Sequence, residues 1–450
     1  LSSPFSLLSL TPSRSLIMQT AIMSFPPPPP SSSSSSLFFF SFLFFCCFFA
    51  GLLASGAPTS TPGFNCTVHS FYDAAVDTFT SLALTAAGSP VVSHATIDQQ
   101  FNSLEVTLCA NAGCTSATTR SALAGSAVDY LAIPSTSVAL TAAGHPAILF
   151  FGEAGVVDPK TSIQLLICAD ASCSSSTIHT IVGGSGAAGN SAGGSGELAL
   201  ALTRLDVPVI GVWAATGPQL LLCADATCSS HTARIVDNTT GFAGQWLSLA
   251  LTAADCPVIA HWAVGRLRLV MCADAACSSS TARTVDSSPD SDVYTSLALT
   301  LAGTPVISYV QADAVKLAVC ADAQCSTSTV RVIASTGNVG PYSSVAVPTS
   351  GHPIIAFYEF DRNALKLAMC ADAPCSPSSM TIRTVDSGNA GPYMSLALTT
   401  ADYPVISYIA YELEAGLVSD GGNSAAMYLK LAVCPQANET SISRPAKNKI

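Results

Sequence analysis

One phrase recurs seven times along the chain, and no other feature limits the fold as strongly. It reads SLALTAAGSPVV from Ser81, SVALTAAGHPAI from Ser137, ALALTRLDVPVI from Ala199, SLALTAADCPVI from Ser248, SLALTLAGTPVI from Ser296, SVAVPTSGHPII from Ser344 and SLALTTADYPVI from Ser395. Each phrase runs into an apolar segment, then a segment ending in Cys, a short CADAxC-type loop and a T-x-[RH]-x-[VI] segment. One unit therefore spans about 50 residues. In LRLVMC, VKLAVC, LKLAMC and LKLAVC, apolar and polar residues alternate, which is the period of a β-strand. The polar position four before the Cys holds Glu105, Gln164, Gln219, Arg268, Lys316, Lys366 and Lys430. The segment after the repeat proline (PVISY, PVIAH, PAILF) is apolar on both faces and must lie between stacked sheets. Proline stands at the reversal between the first two strands, where no ladder N–H is needed.

Four antiparallel strands per unit fit the blade of a β-propeller; an open β-solenoid is the alternative. The two are separated by the chain ends. The last unit reaches Cys434 through LKLAVC but lacks a second Cys and a fourth strand, while CTVHSFYD at Cys66 to Asp73 offers a cysteine and a T-x-H-x-F match. An open solenoid has no use for a unit split in this way. The expected fold is all-β: a seven-bladed β-propeller of four-stranded antiparallel blades over residues 58–440, its ring closed by the N-terminal strand joining the C-terminal blade. The N-terminal copy is three residues shorter between its cysteine and its basic position than most others.

Residues 1–57 are expected to be a low-complexity leader, and 441–450 a tail. Pro26 to Pro30 and Ser31 to Ser36 cannot pack. Leu37 to Ala54 is an almost unbroken apolar run followed by Ser55, Gly56 and Ala57, the pattern of a signal peptide, with an uncleaved signal anchor as the competing reading. Either way the rest of the chain is secreted or displayed at the cell surface, and the only membrane contact foreseen is that anchor. Sequons at Asn65, Asn238 and Asn438 suit a glycoprotein. In that compartment the pairs Cys109/Cys114, Cys168/Cys173, Cys223/Cys228, Cys272/Cys277, Cys320/Cys325 and Cys370/Cys375 read as hairpin disulfides, with Cys66/Cys434 as the seventh. Zinc ligation would need a second knuckle nearby, and none is present. Cys256 is left as a lone, buried thiol. With 17 Lys and Arg against 28 Asp and Glu, the chain has no basic cluster to grip a nucleic acid.

A residue found in every copy is first a scaffold residue. That demotes the basic column on the fourth strand (His69, Arg120, His179, Arg234, Arg283, Arg331, Arg383), expected to keep an outer edge from pairing. It also demotes the loop acids Asp170, Asp225, Asp274, Asp322 and Asp372, expected to bond their own turns. His94 and His261 share a column with Phe150, Tyr309, Phe357 and Tyr408, which suggests packing. No nucleophile elbow, zinc-binding helix motif or phosphate loop is present, so no catalytic residue, cofactor or metal is assigned. Gly183 to Gly196 reads as a flexible insertion. Ligand-binding candidates come instead from variable positions. Phe79, Trp246, Tyr294, Tyr342 and Tyr393 each stand two residues before the start of the repeat phrase, where an innermost strand would place them around the channel mouth, or packed between blades. Trp213, Trp262 and the longest loop, Ile409 to Tyr428, fall on the same expected face.

The pattern SLALTxxGxPVISY followed by LKLAVCADxxCSSSTxRTVD resembles repeats of secreted, seven-bladed β-propeller-like proteins over residues 66–434. The resemblance implies a fold and no activity. The S-x-D-x-G-x-T-W turn of sialidase-type propellers is missing. The reading that follows is an extracellular or cell-surface binding propeller, its partner a glycan or an extracellular protein and not a nucleic acid. The alternatives are a glycan-active hydrolase using carboxylates such as Asp361 and Glu414, and a structural wall or matrix protein.

Overall fold

The computed structural model describes residues 66–71, 76–97, 102–123, 135–152, 162–182, 198–214, 217–237, 247–287, 294–336, 338–412 and 426–434. All lie in one compact unit, Ser60–Ile450. They form seven four-stranded antiparallel sheets set in a ring, one per repeat, so the expected propeller is the observed fold. Blade 4 shows the plan with strands Leu247–Leu251, Pro257–Ala263, Arg266–Cys272 and Ser280–Ser287, ordered from channel to rim.

Burial follows the sequence period strand by strand. The second strand is buried at every position in blade 4 and in blade 5 (Pro305–Gln311), because both its faces meet a neighbouring blade. The third strand alternates, and the fourth is mostly exposed. The first-to-second turn takes a left-handed residue before the Pro: Gly88, Gly144, Gly303 and Gly351 at φ 76–79°, or Asp206, Asp255 and Asp402 at 59–62°. Where Asp stands there, its carboxylate accepts an N–H from the turn of the preceding blade: Ala142 at 2.8 Å, Arg204 at 3.2 Å and Thr349 at 3.1 Å. The side chain that replaces glycine thus joins two blades.

The ring closes as the split unit foretold. Thr67–Phe71 pairs antiparallel with Ala426–Val433 as the outer strand of blade 7. Cys66 bonds to Cys434 across a sequence separation of 368, and the other six disulfides join the pairs expected. The shortfall of three residues now has a cause. His69 faces Leu431, three before Cys434, as Arg283 faces Leu269, three before Cys272. Cys66 therefore occupies the strand position of Ser280 and not that of the hairpin cysteine Cys277, so this bridge runs directly from strand to strand. Cys256, expected to be buried, is partly exposed in a first-to-second turn, with Sγ 3.9 Å from the Ala273 carbonyl.

The hairpin cysteines also need a correction, in role and not in pairing. Spacing makes the second cysteine of each pair (Cys114, Cys173, Cys228, Cys277, Cys325 and Cys375) a loop residue that pins its own hairpin to Cys109, Cys168, Cys223, Cys272, Cys320 or Cys370. In the structure these six are core residues, only 1–7% exposed. Each joins an apolar cluster shared with the preceding blade: Cys114 with Leu431, Cys173 with Leu104, Cys228 with Leu165, Cys277 with Leu220, Cys325 with Leu269 and Cys375 with Leu317. The backbone explains the inward turn. All six adopt left-handed φ of 44–52°, a region few residues with a Cβ enter. Each donates its N–H to the carbonyl three residues earlier, that of Asn111, Asp170, Asp225, Asp274, Asp322 or Asp372, at 2.9–3.2 Å. That tight turn folds the sulfur back under the loop, so one bridge closes a hairpin and fills an inter-blade seam.

Candidate functional site

Four of the five aromatic residues that precede the repeat phrase meet at one mouth of the channel. Tyr294, Tyr342, Tyr393 and Phe79 come from the consecutive blades 5, 6, 7 and 1. Tyr294 and Tyr342 have ring centroids 3.8 Å apart, Tyr342 and Tyr393 4.7 Å, and Phe79 lies 4.6 Å from Tyr393 and 5.6 Å from Tyr342. Both expectations hold together: the rings stand at the mouth, and they pack from blade to blade. Tyr294, Tyr342 and Tyr393 stay half-buried, so each keeps some accessible surface. The Tyr342 hydroxyl donates to that of Tyr294 at 2.6 Å; burial and this bond push its ionisation far above the ordinary tyrosine range. Tyr342 is therefore uncharged at any physiological pH. Trp246 lies outside the described residues.

Local sequence lifts these rings into place. In blades 1, 6 and 7 the first strand starts early, at Val76, Val339 and Ala390, and its pairing shifts by an irregularity before the repeat serine. Blades 6 and 7 carry Gly-Pro-Tyr here. A Cβ on Gly340 would sit 2.8 Å from the Tyr358 ring, and one on Gly391 2.7 Å from the Tyr411 ring and 2.9 Å from the Ile409 carbonyl. Only glycine lets the strand pass so close to those rings.

Beneath the rings, the channel holds a recess of about 330 Å³ lined from all seven blades. Its described lining is Ser, Thr, Tyr, Phe, Leu, Ala, Val and Met, without a charged side chain. The serine that opens the repeat phrase has a function there that the sequence did not disclose. Ser81 accepts the N–H of Val138 in the next blade, Ser137 that of Leu200, Ser248 that of Leu297, Ser296 that of Val345 and Ser344 that of Leu396, all at 3.0–3.1 Å. Ser395 completes the turn of the ring onto Leu82 at 3.3 Å. Blade 3 has Ala199 in this column, so one junction, blade 3 to blade 4, lacks the bond. The signal was a polar residue repeated on an innermost strand. Its partner, a whole repeat away, could be named only once the blades were set side by side.

A second recurring contact ties blades together on the same face. Asp286 and Asp386 stand near the ends of the fourth strands of blades 4 and 6, and Asp237 two residues past that of blade 3. Asp286 accepts from the Tyr309 hydroxyl at 2.6 Å with Lys316 3.7 Å away; Asp386 accepts from Tyr408 at 2.7 Å and Lys430 at 2.8 Å. Asp237 meets His261 Nε2 at 3.2 Å and Arg268 Nε at 2.5 Å. The third-strand cation thus occurs where the preceding blade ends in Asp. Where it ends in Leu123 or Val182, the sequence has Gln164 or Gln219 instead. Lys366, preceded by Ala334, pairs with Glu359 of its own blade at 3.0 Å. His261 is thus a hydrogen-bond partner of Asp237 as well as a packing residue; burial holds its imidazole below the usual histidine range, so the charge that pairs with Asp237 is that of Arg268. His94, bonded through Nε2 to Thr107 at 3.1 Å, is lowered to about 4 by burial.

The remaining candidates fall away from the mouth. Trp262 is 1% exposed in the core with Leu267, Val285 and Tyr309, so its ring has no face to offer a ligand. Trp213 is half-buried, its ring 5.8 Å from that of His261. The loop acids bond their own turns as expected: Asp170 accepts the N–H groups of Ser172 at 2.8 Å and Ser174 at 3.2 Å, and side-chain and main-chain bonds from these serines draw its carboxyl below the usual range. The Arg283 Nε reaches the Gln324 carbonyl of the next blade at 2.9 Å, an inter-blade tie as well as an edge charge. Asp361 is exposed in the turn Phe360–Arg362, whereas Glu414, most of the 409–428 loop, Gly183 to Gly196 and the three sequons lie outside the described residues. Among the described residues no group of acids, histidines and cysteines is arranged to hold a metal.

No family model matches this chain, and no curated protein matches its sequence. Solved structures do. An ulvan lyase bound to a GlcA-Rha3S saccharide aligns at TM-score 0.48 and 8% identity, covering 80% of this chain and 94% of that one. The "Dos1 propeller" aligns at 0.46 and 10%, covering 82% and 95%. The NanB sialidase of Streptococcus pneumoniae aligns at 0.45 and 10%, covering 84% and 71%.

Proposed function

We propose that this chain is an extracellular or cell-surface binding propeller that takes its ligand, a glycan or a protein, at the aromatic mouth of its channel. One observation carries the reading: four aromatic rings from consecutive blades stand over a recess of about 330 Å³ whose described lining has no charged side chain, within the size range of ligand pockets. Aromatic clusters that keep accessible surface are where sugar faces and protein anchors bind. The rigid support fits the same use, since disulfides and inter-blade bonds hold the first strands so that little order is lost on binding.

The compartment is part of the proposal. Seven disulfides in one chain suit an oxidising environment. Expression in a eukaryotic secretory host is expected to deliver the protein to the medium or the cell surface with an endoglycosidase-sensitive mass shift; retention in the cytosol without that shift would contradict it. The binding claim is tested by probing a glycan array and an extracellular-protein panel with the full oxidised chain and its Tyr342→Ala variant. A hit that the variant loses is the expected result. Hits that the variant keeps unchanged would move the site elsewhere.

A further inference from the structure

Six seryl hydroxyls line the recess two residues below the aromatic column: Ser81, Ser137, Ser248, Ser296, Ser344 and Ser395. Each oxygen already accepts a main-chain N–H from the next blade, at 3.0 to 3.3 Å. A hydroxyl has one proton to give as well as lone pairs that accept. With one lone pair taken by the next blade, the O–H is left to donate, and among the described residues none of these six has a protein acceptor for it. Neighbouring hydroxyls do not compete, because they pair among themselves: Thr80 with Ser407 at 2.9 Å, Thr136 with Ser93 at 3.0 Å and Ser343 with Ser308 at 3.0 Å. The ring is therefore an oriented set of neutral donors.

That arrangement restricts what can enter. A ligand must bring acceptor oxygens to several donors at once. It must also lack a formal charge, since no cation or carboxylate is among the described lining residues to compensate one removed from water. The aromatic arc on blades 5, 6, 7 and 1 adds a third demand, an apolar C–H face to stack on. A purely apolar ligand would leave the serine protons unpaired, and a glycan acid would bury an uncompensated anion. A pyranose of a neutral sugar meets all three conditions. The recess, near the small end of the usual range for ligand sites, has room for the end of a glycan and not for a long stretch of it.

Resting on the channel-mouth reading, we infer that the serine ring and the aromatic arc together form a subsite for the terminal residue of a neutral glycan, one per propeller. The gap in the ring supplies a gain-of-function test. Ala199→Ser would add the seventh hydroxyl while removing no contact, whereas Ser296→Ala and Ser344→Ala each delete a donor. The experiment applies the full oxidised chain to an array of neutral and acidic glycans, then titrates the strongest neutral hit into wild type and variants whose thermal melts show them folded. Neutral glycans are expected to bind and acidic analogues to bind at least tenfold more weakly. Each Ser→Ala change is expected to weaken the neutral hit by about three- to tenfold, and Ala199→Ser to tighten it by a similar factor. Failure of every neutral glycan to bind, equal or tighter binding of the acidic analogues, or affinities indifferent to both kinds of serine change would overturn the assignment. The two readings separate at Tyr342→Ala. An acidic glycan or a protein that binds wild type and is lost in that variant would sink the neutral-sugar subsite and leave the mouth as the binding face. Ligands unaffected by Tyr342→Ala would sink both.

Discussion

The junction between blades 6 and 7 and the junction between blades 3 and 4 are built on one plan with one difference at the centre. At both, an Asp of the later blade clasps the preceding turn on one face: Asp402 holds Thr349, and Asp255 holds Arg204. At both, an Asp near or just past the end of the fourth strand meets two groups of the next blade on the other face: Asp386 with Tyr408 and Lys430, Asp237 with His261 and Arg268. Between these ties, junction 6/7 has the Ser344 bond and the tilted, touching Tyr342 and Tyr393 rings. Junction 3/4 has Ala199 and Gly211 instead, with Leu247 so near Gly211 that a Cβ there would come within 2.7 Å of its Cδ1. The outer ties are the general means of holding blades together. The hydroxyl ring and the tyrosines are dispensable to the scaffold at one junction, which is why they are read as serving the channel.

The largest effect should come from opening the ring beside junction 6/7. Loop entropy assigns about 6 kcal/mol to a bridge spanning some 368 residues and about 2 kcal/mol to one spanning 5. Cys66→Ser is therefore expected to lower the melting temperature well beyond Cys277→Ser; equal shifts would mean that neither junction depends on closure. Next come the acidic ties. Asp237, only 3% exposed, is the more deeply buried carboxylate, and Asp237→Ala strands a fully buried His261 together with Arg268, at a cost of about 3–5 kcal/mol, while Asp386 is 17% exposed and Asp386→Ala should cost about 2 kcal/mol. Urea titrations of the two variants measure the difference. Equal losses would show that junction 3/4 carries no special ionic load.

Acid should act on blades 1 and 4. His94 and His261 have their protonation held down by burial, so the unfolded chain binds protons that the folded chain refuses. The sign follows: stability is full above pH 6.5 and declines as pH falls toward about 4, the folded value of His94, with that residue alone contributing up to about 3 kcal/mol. His94→Phe with His261→Tyr, which copy the residues of blades 2 and 7, should flatten urea midpoints between pH 6.5 and 4. An unchanged slope would assign the acid response to other groups. The smallest expected effects concern the centre itself: Ser344→Ala should destabilise by about 1 kcal/mol, and Ala199→Ser should stabilise by about the same amount or less.

The fold was legible in sequence because a 50-residue period, alternating strands and a unit split between Cys66 and Cys434 leave a closed ring as the simplest way to complete every blade. The aromatic column was legible too, since Phe79, Tyr294, Tyr342 and Tyr393 share one offset from the repeat phrase. What stayed hidden depended on which repeat faces which. The Asp237, Asp286 and Asp386 column and its cations were visible as letters, but their match runs from one unit to the next and looks like surface charge until the blades are neighbours. The hairpin cysteines were paired correctly by spacing, yet spacing does not show that Cys173 or Cys325 turns inward against the blade before it. Trp262 was misplaced because strand position alone does not say whether an end-of-strand ring points to the loop face or, as here, into the core between blades. The cysteine of the N-terminal strand was paired correctly and placed wrongly, since spacing to His69 carries the register while the shared cysteine suggests a different one.

The most direct test of the channel mouth as the binding site is the stoichiometry of the strongest ligand, taken by titration calorimetry on the full oxidised chain. A site on the ring axis admits one ligand per molecule, and Tyr342→Ala should weaken it at least tenfold. A count approaching one ligand per blade, or an affinity that Tyr342→Ala leaves unchanged, would place binding on the repeated surfaces of the blades and not in the channel.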